Sequence, residues 1–170
     1  MSRLLLSSFC LFFLVFSCKG TQDSNGDNVE TESQEITAKD IEQIDFIEFL
    51  LDVKTEEYTI DWAEYNQLQE LVDNLKTGDL SLFFDNREAN NTMLTEFEQN
   101  IPEPLNSASI TARISAFKTQ FLKLESLSNL TTTSKQELLV SIKDFFVAFS
   151  NLNLQLNKKV EFDSQAIIKP

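Results

Sequence analysis

The chain has 170 residues, 27 of them acidic against 14 basic, for a formal net charge of −13. A balance of that sign argues against nucleic acid as a partner, because neutralising phosphates takes clustered Lys and Arg. There is no histidine, which removes the commonest general base, the usual triad base and the commonest metal ligand together, and excludes zinc chemistry built on Cys and His.

The first element is apolar. Arg3 precedes "LLLSSFCLFFLVFS", residues 4–17, a run too short for a membrane span, which needs roughly 20 apolar residues to cross about 30 Å of hydrocarbon. Length and charge suit the h-region of a signal peptide over residues 1–17. Cys18 follows directly, and the only other cysteine, Cys10, lies inside the apolar run. No disulfide is then open to the exported chain. A lone thiol at its first position is poor redox design but sensible as an attachment point.

Val15, Phe16 and Ser17, standing before Cys18, resemble the lipobox of bacterial lipoproteins. The resemblance implies a thioether-linked diacylglycerol on Cys18, cleavage after Ser17 and an acylated new amino terminus. Several acyl chains on one residue, at about 0.8 kcal/mol per buried methylene, would anchor a soluble domain at a bilayer without spanning it. It also implies the cell envelope, with the outer membrane of a Gram-negative bacterium as the expected address. An ordinary secretory peptide leaving an unpaired cysteine is the alternative.

Residues 18–36 read as a lipidated, acidic, flexible tether: from Lys19 to Glu35 only Val29 is aliphatic, too little apolar surface to offset the entropy of ordering. Within it, "DSNGDN" lacks the residue order of a calcium loop. The acidic residues from Asp23 onward resemble surface-export signals of some bacterial lipoproteins but begin only after Lys19. Whether the protein faces the periplasm or the surface stays open.

Beyond the tether the breakers thin out. Gly78 is the sole glycine, and Pro102 and Pro104 are the only prolines before Pro170, whereas an all-β domain would need many turn residues. In 41–53, Ile41, Ile44, Ile47 and Leu51 suit a helix, although Ile44, Phe46 and Glu48 alternate briefly as in a strand; helix is the expectation, since a single strand has nothing to pair with. Tyr58, Trp62, Tyr65, Leu68, Val72 and Leu75 predict one helix over 58–76, stopped by Gly78. Met93, Leu94, Phe97 and Ile101 form another apolar face ahead of "PEP" at 102–104.

Ser107 is the expected cap of the next helix, whose Ile110, Ile114, Phe117, Phe121 and Leu124 step by four and three. Leu138, Ile142, Phe145, Phe149, Leu152, Leu156 and Val160 continue the pattern in the last, begun by a capping box of Thr133 with Gln136 and running about 28 residues, or roughly 40 Å. Short connections predict antiparallel neighbours. The expected fold is all-α: an up-and-down antiparallel bundle of about four helices, with room for a short fifth, over 37–163, behind the tether and followed by a tail at 164–170.

Acids dominate up to residue 106, and the sign reverses over 107–160, where seven basic residues face Glu125, Glu137 and Asp144. Mutual attraction of acidic and basic helices explains this more simply than a basic face for a partner. Glu96 with Glu98, or Asp61 with Glu64, could serve two-carboxylate chemistry; solvated helix faces explain both pairs better. Two N-x-T patterns, at Asn90 and Asn129, are discounted beside a bacterial lipobox. No cofactor-binding, catalytic or metal-ligating residue is assigned.

The aromatic surplus, with Tyr58, Trp62 and Tyr65 in one cluster and Phe83, Phe84, Phe145, Phe146 and Phe149 as chain neighbours, suits a wide core stripe, an apolar pocket or a docking patch. The pattern from "IPEPLNSASITARISAF" to "NLQLNKK" is similar to small helical envelope lipoproteins of no known activity. The expected function is a non-enzymatic, lipid-anchored interaction module of the envelope, membrane-bound through Cys18 and with an envelope protein as partner. The alternative is a carrier of an apolar small molecule in a Phe-rich interior.

Overall fold

The computed structural model describes residues 35–165; Cys18, the signal-peptide reading and nearly all of the tether and tail lie outside them. The described residues form six α-helices and no strand: α1 (Ala38–Glu42), α2 (Val53–Thr59), α3 (Ala63–Lys76), α4 (Arg87–Gln99), α5 (Ala108–Ser128) and α6 (Lys135–Ser164). Short 3-10 turns at Ser81–Phe83 and Glu103–Leu105 join α3 to α4 and α4 to α5. The all-α bundle is as expected.

The four long helices, α3 to α6, run up and down. Between α5 and α6 the pairings Ser109–Gln155, Phe117–Phe149 and Lys123–Asp144 descend one helix as they climb the other. Between α4 and α5, Asn90–Glu125 and Glu98–Lys118 do the same. Both registers are antiparallel, as connections of eight residues (100–107) and six residues (129–134) favour.

The seams fill the centre. Ile110, Ile114, Phe117, Phe121 and Leu124 of α5 and Leu138, Ile142, Phe145, Phe149, Leu152 and Leu156 of α6 are buried, and Val160 packs at the edge. Phe117 lies against Phe97, Phe121, Phe145 and Phe149, with ring centroids 5.1–6.3 Å apart. Trp62 stacks on Phe97 at 4.7 Å and on Tyr65 at 5.6 Å, closing one end of the ring cluster. Of the neighbouring phenylalanines, Phe84 is half exposed while Phe83, Phe145, Phe146 and Phe149 are core.

Three expectations need correction. Residues 41–53 are neither one helix nor a strand: α1 ends at Glu42 and residues 44–52 are extended without strand pairing. The helix predicted over 58–76 is broken at 60–62, so Tyr58 belongs to α2 and is 42% exposed while Trp62, Tyr65, Leu68, Val72 and Leu75 are core. The last helix begins one residue later than expected, with Ser134 capping Glu137 and Glu137 bonding back. A carboxylate at the positive end of a helix accepts more strongly than the Gln136 amide would, and Thr133 is buried instead.

Charge attraction between the two halves of the chain is visible in the ion pairs Glu98–Lys118 and Asp40–Lys135. Asp40 also caps α1, accepting from the Thr37 hydroxyl at 2.6 Å and the Thr37 N–H at 2.9 Å. The Lys135 ammonium first, and these Thr37 bonds second, hold its carboxyl down to about 2. A value depressed by folding stabilises fully above the unfolded value near 4 and is lost as pH falls toward 2. Asp40→Asn is therefore expected to lower the urea midpoint at pH 7 and to leave a flatter decline between pH 4 and pH 2.

Gly78 ends α3 in a Schellman motif: its N–H donates to Leu75 O, the Asp79 N–H donates to Asn74 O, and its φ is +88°. A Cβ there would lie 2.9–3.0 Å from backbone atoms of Ile36, Thr37 and Ala38. Gly78→Ala is expected to cost about 2–3 kcal/mol, combining left-handed strain with a backbone clash, read as a lowered thermal midpoint. The glycine lets the start of the domain close onto α3.

Candidate interaction groove

The extended segment 44–52 is a strap laid along α6. Its polar backbone has no sheet to join, so α6 supplies partners from a stripe of side chains spaced three and four apart. The Phe49 N–H donates to Ser150 Oγ at 2.7 Å, and the Ser150 hydroxyl donates to Ile47 O at 2.9 Å. Asn153 Nδ2 donates to Phe49 O, Asn157 Nδ2 to Leu50 O, and the Asp52 N–H to Asn157 Oδ1. Phe46 stacks on Phe146 at 5.2 Å, which gives a role to the phenylalanine that falls off the α6 seam.

Asn153 also ties the strap to α3. Its Oδ1 accepts the Tyr65 hydroxyl at 2.8 Å, and both residues are buried. Burial, with the Glu56 carboxylate second, pushes the Tyr65 hydroxyl well above its ordinary value, so it stays a protonated donor to Asn153 at neutral pH.

With its inner edge committed to α6, the strap turns Ile47 and Leu50 outward, and Val53 and Ile60 at the two ends of α2 are exposed beside them. Ile47 is 72% exposed, Leu50 68%, Val53 75% and Ile60 70%. Leu50 and Leu51 of the strap, Val53, Glu56, Glu57 and Thr59 of α2, Ile60 just beyond it, and Tyr65, Asn66, Gln69 and Asn153 line a groove of about 590 Å³. A second depression, of about 660 Å³, is lined only by polar and charged residues of α4. Exposed aliphatic side chains in adjacent elements give the first an apolar surface, the kind that marks contact sites.

The carboxylates nominated from the sequence do not assemble a reaction centre. Glu98 pairs with Lys118, Glu64 accepts from Asn100 Nδ2, and Glu96 and Asp61 are exposed. Glu125, the one buried acid among the described residues, accepts from Asn90 at 2.7 Å and lies 3.8 Å from Arg87. Asn90 is buried and bonded to Leu82 O as well; Asn129 donates to Phe83 O and Glu125 O. Both asparagines of the N-x-T patterns thus lock the turn at Ser81–Phe83 onto α4 and α5.

Among the described residues no cluster of acids or cysteines could hold a metal ion, and no helix is long and apolar enough to cross a membrane. Cys18, the one site residue read from the sequence, lies outside them. The groove and the Ser150–Asn153–Asn157 stripe went unread, though "SNLNLQLN" at 150–157 carries its polar residues at fixed offsets beside the apolar seam. Comparison with protein-family models, curated proteins and solved structures finds no match.

Proposed function

We propose that this chain is a non-enzymatic interaction module of a bacterial cell envelope, anchored by lipid on Cys18, which meets a protein partner at the strap groove. The observation that carries the reading is the exposure of Leu50, Val53 and Ile60 in the lining of the groove, with Ile47 exposed on the same strap. Four aliphatic side chains about 70% exposed cost solubility unless something covers them. The carrier reading has less support, because the rings around Phe117 occupy the space in which a bundle would hold an apolar guest.

Two measurements test it. Intact mass of the protein recovered from membranes is expected to give a chain beginning at residue 18 and heavier by several acyl groups, with Cys18→Ala left unprocessed; an unmodified chain, or one retaining residues 1–17, overturns the anchor. A photoreactive amino acid at Leu50 is expected to trap one discrete envelope protein in living cells, while the same probe at Glu88 on α4 traps none. Equal labelling from both positions, or none from Leu50, removes the groove as the meeting point.

A further inference from the structure

We propose that the groove receives a cationic amphipathic segment of the partner, an inference that rests on the interaction-module reading and adds the chemistry of what binds. Apolar side chains form only half of the site. Glu56 and Glu57 stand in its lining, and Asp52 and Asp61 are the chain neighbours of Val53 and Ile60. None of these four carboxylates forms a salt bridge among the described residues. The basic groups close by are Lys54, on α2 itself, and Lys158, which pairs with Glu161 and also feels the charge of Asp52, leaving Glu56 and Glu57 as the acids of the lining.

The combination selects its occupant. An anionic bilayer or acidic protein would bring like charge against Glu56 and Glu57 while losing water, which is unfavourable. A neutral apolar segment would cover Leu50 and Ile60 but strip solvent from carboxylates without replacing it. Lys or Arg beside Leu or Phe meets both demands, since the long aliphatic stems lie on apolar surface while their charged ends reach the acids at the rim. The strap and α2 both line the groove, and an amphipathic helix laid in a groove offers residues at i, i+3, i+4 and i+7.

The test uses the full lipidated chain in discs of uncharged phosphatidylcholine, with empty discs as blank, and two dansyl-labelled 14-residue helical peptides, one of Leu and Lys and one of Leu and Glu. Fluorescence anisotropy is expected to show the Lys peptide binding at least about tenfold more tightly than the Glu peptide. Glu56→Lys with Glu57→Lys, both exposed, is expected to reverse that preference, and Leu50→Ser with Ile60→Ser to weaken the Lys peptide about tenfold. Equal affinity for the two peptides overturns the proposal, as does Lys-peptide binding that neither variant changes, which would be bulk attraction to a chain of net charge −13. Groove-dependent binding to phosphatidylglycerol vesicles, or a dimer in sedimentation that Leu50→Ser with Ile60→Ser dissolves, overturns it in favour of a membrane or a second copy. A protein still trapped at Leu50 when the Lys peptide fails to bind leaves the interaction module standing and removes only this chemistry; loss of both removes both.

Discussion

Phe117→Ala is expected to destabilise the folded domain by about 3–5 kcal/mol, a large part of the 5–15 kcal/mol that holds a typical domain together. The ring is fully buried on α5 and touches rings from α4, α5 and α6, so its removal opens a cavity bounded by helices that cannot all close in. Loss of four aromatic contacts adds to the transfer term. Urea unfolding followed by circular dichroism should show the midpoint falling with an unchanged slope. Leu122→Ala, one residue past Phe121 but partly exposed, should cost under about 1 kcal/mol by the same measure.

Asn153→Leu is expected to cost about 2–4 kcal/mol by a different route. The leucine fills similar space, yet the buried Tyr65 hydroxyl loses its acceptor and Phe49 O loses its donor. An unmet buried polar group forfeits its hydration with no return. Adding Tyr65→Phe should recover part of the loss, because the pair then leaves no stranded hydroxyl. Amide hydrogen exchange separates the two variants: Asn153→Leu should speed exchange of the Phe49 and Asp52 amides well before the rest of the domain, whereas Phe117→Ala should raise exchange across the bundle.

Much of the bundle was legible because its information is local. The four-three steps through Ile110–Leu124 and Leu138–Leu156 mark faces that must be covered, and Ser107 caps where the apolar run begins. The misread places depend on residues far along the chain. Ile41, Ile44, Ile47 and Leu51 have helical spacing, yet Ile47 is exposed and the segment lies extended, because Ser150, Asn153 and Asn157 offer its backbone partners that no neighbour in sequence reveals. The break at 60–62 was hidden for a related reason: Tyr58 keeps the period of α3 by coincidence while its own helix sets a different face. The apolar groove was illegible in principle, since the same leucines and isoleucines count as core until the fold places them outside.

The strap also sets an order of events. Its bonds to α6 join residues 101–107 apart in sequence, so a chain delivered from its N-terminus presents residues 44–52 long before Ser150 to Asn157 exist to receive them. The α5–α6 hairpin, by contrast, pairs residues joined by a short turn and can assemble as soon as it is complete. Closing the longer loop comes at greater entropic cost and only after α6 is formed. A helix made about a hundred residues later therefore seats the strap, and until it does, the polar backbone and apolar side chains of the strap face solvent together.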